Sequence, residues 1–184
     1  MGYALFSRKK NCHAKWGPAL RREGFFQLSC AAFTFGGIWA CLHTDAVIAW
    51  LAKPTGAWPY FSRAFYYGQG VVLIAQGLLS FASDVVFEDV RSIVHPMDRV
   101  MAIILTAAGA YTEANIMRYG HLPVWLRLAM GTVLMLGLGC HLRAKYAIVH
   151  HDYAGYVRYH SLWHFAILAS MILPMHVAIF YLPA

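Results

Sequence analysis

Charged residues are scarce in this sequence. Asp, Glu, Lys and Arg make up 12% of its 184 residues, whereas soluble globular domains carry about 25%. This shortage excludes an ordinary soluble domain. Hydrophobic residues fill 60% of the chain and aromatic residues 15%, which is the composition of several bilayer-spanning helices with Trp and Tyr at the membrane interfaces.

Cysteines and acidic residues are also few. The four cysteines show no paired spacing, which argues against a disulfide framework and favours reduced thiols. The 8 acidic residues are outnumbered by 15 Lys and Arg, so the net charge is +7. These basic residues cluster in the N-terminal tail and in short loops, so membrane topology explains them better than nucleic-acid binding, and no nucleic-acid partner is predicted.

The apolar stretches predict the architecture. Residues 1–23 form a basic arm whose six Lys and Arg predict an N-terminus on the cytoplasm-like side, be it cytosol, matrix or stroma. Residues 24–184 form one transmembrane domain with five runs near the ~20 residues that a bilayer requires. We therefore expect an all-α, multi-pass transmembrane helical bundle. Its five predicted spans are Gly24–Leu42, Ala64–Val86, His95–Met117, Val124–Leu142 and His160–Leu182.

The distribution of positive charge agrees with five spans. With the N-terminus inside, 11 of the 15 Lys and Arg residues fall on the inner side. The four on the outer side are Lys53, Arg63, Arg118 and Arg127. This asymmetry follows the positive-inside rule and supports both the number of spans and their orientation.

Polar residues gather at the inner end of the predicted bundle. Four consecutive helix ends that must share one membrane side each contribute His or Asp. A charged group costs about 2.5–3.5 kcal/mol at the centre of a membrane helix, so we expect these side chains to face one another inside the bundle. The residues are Ser80, Asp84, His95, Asp98, His141, His160 and His164.

The spacing of two of these histidines indicates a metal. His160 and His164 are four residues apart, so they lie one turn apart on one face of a helix and can bind a single ion. A His and Asp set favours zinc, which takes three protein ligands and a water in catalytic sites. A straight helix would carry His95 about 16 Å beyond Asp84. The sequence therefore predicts a break in that helix between about Phe87 and Arg91.

The motif His160-Ser-Leu-Trp-His164 resembles the His-x3-His of the last helix in the CREST superfamily. That group includes the alkaline ceramidases, the progestin/adipoQ receptors and a GPI-processing phospholipase. Its pattern also has a Ser, a His four residues later and an Asp about eleven residues further on. Here Ser80 is followed by Asp84 and then by His95 at those spacings, with the His and Asp exchanged. The family has seven helices, whereas five spans are predicted here.

The resemblance implies a zinc-dependent membrane hydrolase that acts on a lipid amide or ester. Its metal ligands would be His95, His160 and His164. Asp84 or Asp98 would orient the attacking water as general base, and Ser80 would help to hold that water or the developing oxyanion. Membrane lipids would then be the protein's partners.

Two other function classes remain open on the sequence alone. The chain is also typical of a non-catalytic accessory subunit of a large respiratory or photosynthetic membrane complex. In that case lipid or a neighbouring subunit, rather than the chain's own bundle, would hold the basic arm, since the arm shows no apolar periodicity. The third class is a b-type haem or pigment-binding membrane protein, with His141 and His164 as axial ligands.

Overall fold

The chain folds into α-helices. The computed structural model describes residues 16–52, 63–87, 92–119 and 122–181, and these ranges contain no β-strand. The helices are α1 (Gly17–Leu20), α2 (Gly24–Leu42), α3 (Thr44–Ala52), α4 (Arg63–Phe81), α5 (Val94–Tyr119), α6 (Val124–Val149) and α7 (Tyr153–Tyr181). A π-helical turn, Ala82–Val86, extends α4. The predicted all-α class is confirmed.

Four helices in the described ranges are long and apolar enough to cross a bilayer. They are α2, α4 with its π-helical turn, α6 and α7. Their number and composition are those of an integral membrane protein, as the sequence predicts. The remaining predicted span, His95–Met117, falls on α5, which has 26 residues and is therefore about 39 Å long at 1.5 Å per residue. That α5 also crosses the membrane stays a prediction.

Two of the predicted span boundaries are wrong. Helix α6 continues to Val149 rather than ending at Leu142, and α7 begins at Tyr153 rather than at His160. The chain reverses between them in three residues: His151 adopts the left-handed region at a φ of 57°, and Asp152 Oδ1 accepts the Gly155 N–H at 2.8 Å. The apolar run ends earlier than the helix because basic residues begin there. The pair His160 and His164 consequently lies about two turns inside α7.

Helices α2 and α4 pack through glycines. A Cβ atom placed on Gly37 would lie 2.5 Å from the Gly70 carbonyl oxygen, and one placed on Gly77 would lie 2.5 Å from the Thr34 backbone nitrogen. No side chain fits at such separations, so the two backbones touch. Small residues permit close approach of membrane helices. This contact fixes the register of α4 against α2, and with it the position of the π-helical turn.

The described part of the basic arm packs against the chain's own bundle. Leu20 is fully buried, and the Trp16 ring lies 5.6 Å from that of Tyr153 and 5.7 Å from that of Tyr156. Residues 16–23 are thus packed on the chain's own bundle, whereas the accessory-subunit hypothesis expects the arm to be held by lipid or a neighbouring subunit. Trp16 and Leu20 are spaced by one helical turn and together provide the apolar face that the sequence analysis missed. Residues 1–15 lie outside the described ranges.

Candidate metal centre

A widened helical turn shapes the site. At the end of α4 the Phe87 N–H bonds to the Ala82 carbonyl at 2.9 Å, an i to i+5 contact. Single π-helical turns inside α-helices occur frequently at functional sites. Here the turn buries three consecutive side chains, those of Ser83, Asp84 and Val85. The helix ends at this turn and α5 begins only at Val94, so the predicted break is present; residues 88–91 lie outside the described ranges.

Three of the predicted site residues come together at this turn. The ligand-type atoms of Asp84, His160 and His164 all lie within 4.8 Å of one another. Asp84 Oδ2 is 3.1 Å from His160 Nε2, and the two histidine rings are 4.4 Å apart. Asp84 and His164 are 3% and 5% exposed, and His160 is partly buried. The cluster therefore lies in the bundle interior, as the cost of polar groups in a membrane predicts.

The contacts of His164 indicate which of its ring nitrogens carries the proton. Ser29 on α2 donates its hydroxyl proton to the Phe26 carbonyl at 2.7 Å. Its oxygen lies 3.5 Å from His164 Nδ1, and it accepts there because its own proton is engaged. Nδ1 then carries the proton in neutral His164, which leaves Nε2 as a bare lone pair. Metal-binding histidines are oriented in this way by a partner at the second ring nitrogen.

Aromatic rings surround the histidine pair. The His160 ring lies 5.2 Å from the Phe26 ring and 5.0 Å from the Tyr156 ring, and the His164 ring lies 5.3 Å from that of Phe33. These apolar walls come from α2 and α7. They lower the local dielectric, which strengthens the interaction of Asp84 with any positive charge placed between the histidines.

His95 does not join the three-residue cluster. Its Nε2 lies 2.9 Å from the Phe87 carbonyl oxygen and its Nδ1 lies 2.8 Å from Ser83 Oγ. A carbonyl only accepts, so Nε2 donates. In the neutral ring Nδ1 accepts from the Ser83 hydroxyl, which shares its single proton between Nδ1 and the more distant Asp84 Oδ1 at 3.3 Å. Both nitrogens are thus engaged in closing the end of α4. In the structure Asp84, and not His95, stands as the third potential ligand beside the pair.

The two other predicted catalytic residues also lie outside the three-residue cluster. Asp98 Oδ1 accepts a hydrogen bond from Gln76 Nε2 of α4 at 2.7 Å, which ties α5 to α4. Ser80 is 2% exposed and precedes Asp84 by four residues. Gln76 precedes Asp84 by eight residues, which is about 12 Å along a helix at 1.5 Å per residue.

The predicted haem ligands show a different arrangement. His141 on α6 packs its ring 4.7 Å from that of Trp163, whereas His164 contacts His160. A haem or pigment site stays a prediction.

Sequence reasoning missed three residues that support the cluster. Ser29 orients His164, Ser83 lies 3.3 Å from Asp84 Oδ1 and also contacts His95, and Arg21 donates to the Val85 and Val86 carbonyls at 3.1 and 3.0 Å. A serine inside an apolar span was the signal available for Ser29. Ser83 gave no such signal, because a regular helix would turn it about 100° away from its neighbour Asp84.

The donor set fits a zinc ion. Two ligands at about 2.0–2.1 Å from zinc in a tetrahedral site are separated by about 3.3 Å, close to the 3.1 Å between Asp84 Oδ2 and His160 Nε2. Two imidazoles and a carboxylate make the three protein ligands that are usual in catalytic zinc sites. The described part of the chain offers this set on α4 and α7 without any change of fold.

Comparisons of the chain with protein-family models, with curated proteins and with solved structures found no match. Its function is therefore inferred from the chemistry of the cluster and from where the cluster lies in the bundle.

Proposed function

We propose that this protein is a zinc-dependent membrane hydrolase that cleaves an amide or ester bond of a lipid. The observation that carries the proposal is the buried set of Asp84, His160 and His164, whose ligand-type atoms lie within 4.8 Å of one another. Zinc held by these residues would supply a water of pKa about 7 and polarise the carbonyl of the substrate.

The chain's own residues would each have a defined task. Asp84 Oδ2 and the two histidines would hold the ion, and Ser29 would keep His164 in the tautomer with a bare Nε2. Asp98 is the predicted catalytic carboxylate that is left outside the ligand set, so it is the proposed general base. Gln76 Nε2 donates to its Oδ1 at 2.7 Å, a hydrogen bond that fixes the orientation of the carboxyl group. Ser80 remains the proposed partner of the oxyanion.

The position of the cluster supports a lipid substrate. It lies at the bundle end that carries α1, the α6–α7 turn and the end of α4, where buried Leu20, Val85 and Tyr156 pack together. In the proposed membrane arrangement that end would meet the membrane surface, where the amide and ester bonds of lipids lie between headgroup and acyl chains. The distribution of Lys and Arg supports its placement on the cytoplasm-like side.

Metal analysis of the purified protein tests the proposal. Wild-type protein is expected to hold one zinc per chain, and Asp84→Asn, His160→Ala and His164→Ala are expected to lose it. His150→Ala is the matched control, because His150 is an exposed histidine at the α6–α7 turn. Fluorescent ceramide and phospholipid substrates should be hydrolysed, and chelation should stop the reaction until zinc is restored.

Two results would contradict the proposal. Wild-type protein that binds no zinc after dialysis against the ion would remove its basis. Zinc that stays bound in the Asp84 and histidine variants would place the metal elsewhere. Metal-free protein that purifies within a larger complex would favour the accessory-subunit alternative.

A further inference from the structure

The last carbonyls at the end of α4 are bonded by two side chains, one from the N-terminal arm and one from α5. The last carbonyls of a helix have no partner within the helix. Arg21, from the N-terminal arm, donates to the carbonyls of Val85 and Val86. His95, from the first turn of α5, donates to the carbonyl of Phe87. Every carbonyl from 85 to 87 thus bonds to a side chain that α4 does not itself supply.

His95 also connects this closure to the cluster. Its Nδ1 binds Ser83 Oγ at 2.8 Å, and Ser83 Oγ lies 3.3 Å from Asp84 Oδ1. Asp84 Oδ2 in turn meets His160 Nε2 at 3.1 Å. A continuous line of polar contacts therefore runs from α5 through the π-helical turn to α7.

A π-helical turn depends on such support. Its ring of i to i+5 hydrogen bonds is rare and is seen mostly as single turns held in place by the surrounding structure. If the turn relaxed to regular α-helix, the direction of Asp84 would rotate relative to the preceding residues of α4. The Asp84 carboxyl group would then no longer point towards His160, although no ligand residue had been changed.

We propose that His95 and Arg21 are positioning residues, which hold the end of α4 in its π-helical turn so that Asp84 faces the histidine pair. This inference rests on the proposed zinc site. It gives His95 a role different from that of a ligand, and it makes the N-terminal arm part of the site. Outer residues of this kind change metal affinity by about 10- to 100-fold when they are removed.

Two substitutions at His95 distinguish the effect of its hydrogen bonds on zinc binding from the effect of its side-chain volume. His95→Phe keeps an aromatic ring and removes both contacts. His95→Gln keeps one donor for the Phe87 carbonyl and one acceptor for the Ser83 hydroxyl. We expect the zinc dissociation constant to rise 10- to 100-fold in His95→Phe and to return close to the wild-type value in His95→Gln. A purely structural role would leave Gln no better than Phe.

Arg21 has a neighbouring control. Arg21→Met keeps the apolar stem and removes the donors, so zinc affinity is expected to fall by the same order as in His95→Phe. Arg22→Met removes an exposed charge one residue away and is expected to leave zinc affinity unchanged. Equal losses in both variants would show a general effect of arm charge and would overturn the role given to Arg21.

A second measurement tests the position of Asp84 in the metal-free protein. Nitrogen-15 NMR of labelled histidine reports the hydrogen bond at His160 Nε2, with Asp84→Asn as the reference for a lost carboxylate. His95→Phe and Arg21→Met should shift the His160 resonance towards that reference, and His95→Gln should not. Thermal unfolding and size-exclusion elution of each variant verify that it is folded. If His95→Phe does not fold, the positioning role is tested by His95→Gln and Arg21→Met.

The two proposals fail in different ways. If wild-type protein binds no zinc, the hydrolase proposal falls and the NMR result alone decides the role of His95 and Arg21. If wild-type protein binds zinc while His95→Phe and Arg21→Met change neither the dissociation constant nor the His160 resonance, the positioning role is wrong and the zinc site stands.

Discussion

Ser29 and Ser170 form a natural pair for testing how the site is built. Both hydroxyls belong to buried residues, and each donates to the carbonyl three residues earlier, at 2.7 Å from Ser29 to Phe26 and at 2.8 Å from Ser170 to Ile167. Only Ser29 also contacts a site residue, His164 Nδ1. Substitution of each serine by Ala removes the same local hydrogen bond but only one link to the proposed ligand.

The expected magnitudes follow from these contacts. A hydroxyl that bonds to its own helix contributes about 1 kcal/mol or less, so Ser29→Ala and Ser170→Ala should lower the thermal midpoint of the metal-free protein by similar small amounts. Loss of the partner of a ligating histidine weakens metal binding by about 10- to 100-fold, which is about 1.4–2.8 kcal/mol. Only Ser29→Ala should show this loss in a competitive zinc titration. Equal zinc affinity in the two variants would refute the role assigned to Ser29.

Three further outcomes are expected. Gly77→Ala should lower the thermal midpoint, because its Cβ meets backbone of α2, whereas Gly131→Ala, with open space around it, should leave the midpoint unchanged or raise it slightly. The exposed Arg63 guanidinium lowers the pKa of Asp45. The ion pair therefore stabilises the fold fully above the unfolded carboxyl pKa of about 3.9, and this stabilisation is lost as the pH falls through the lower folded pKa. Asp45→Asn should flatten the acid side of a stability-versus-pH curve. Reporter tags on the two termini should lie on opposite membrane sides if α5 spans the bilayer, and tags on the same side would refute five spans.

The sequence was sufficient for the features that depend on periodicity. A spacing of four residues put His160 and His164 on one face, because helical geometry leaves no other arrangement. The cost of burying Asp84 in a membrane predicted that it would seek a polar partner, and it contacts His160. Apolar runs near the length of a bilayer predicted the spanning helices α2, α4, α6 and α7.

Features that depend on a local departure from regular geometry were not predictable. Because of the π-helical turn, Asp84 rather than His95 lies beside the histidine pair. No residue pattern in the sequence predicts such a turn. The ends of α6 and α7 were placed wrongly because hydropathy marks where a helix leaves the apolar layer, whereas the helix itself ends where the chain reverses at His151. The packing of Trp16 was missed because the charges of the arm obscured its short apolar face.

Zinc K-edge X-ray absorption on the purified, zinc-loaded protein tests the central claim most directly. The account predicts one zinc per chain with a four-coordinate shell of nitrogen and oxygen at about 2.0–2.1 Å, with outer-shell scattering from two imidazoles, those of His160 and His164. Replacement of Asp84 by Asn should alter the shell or abolish binding. A shell containing sulfur, a number of imidazoles other than two, or no bound zinc would contradict the account.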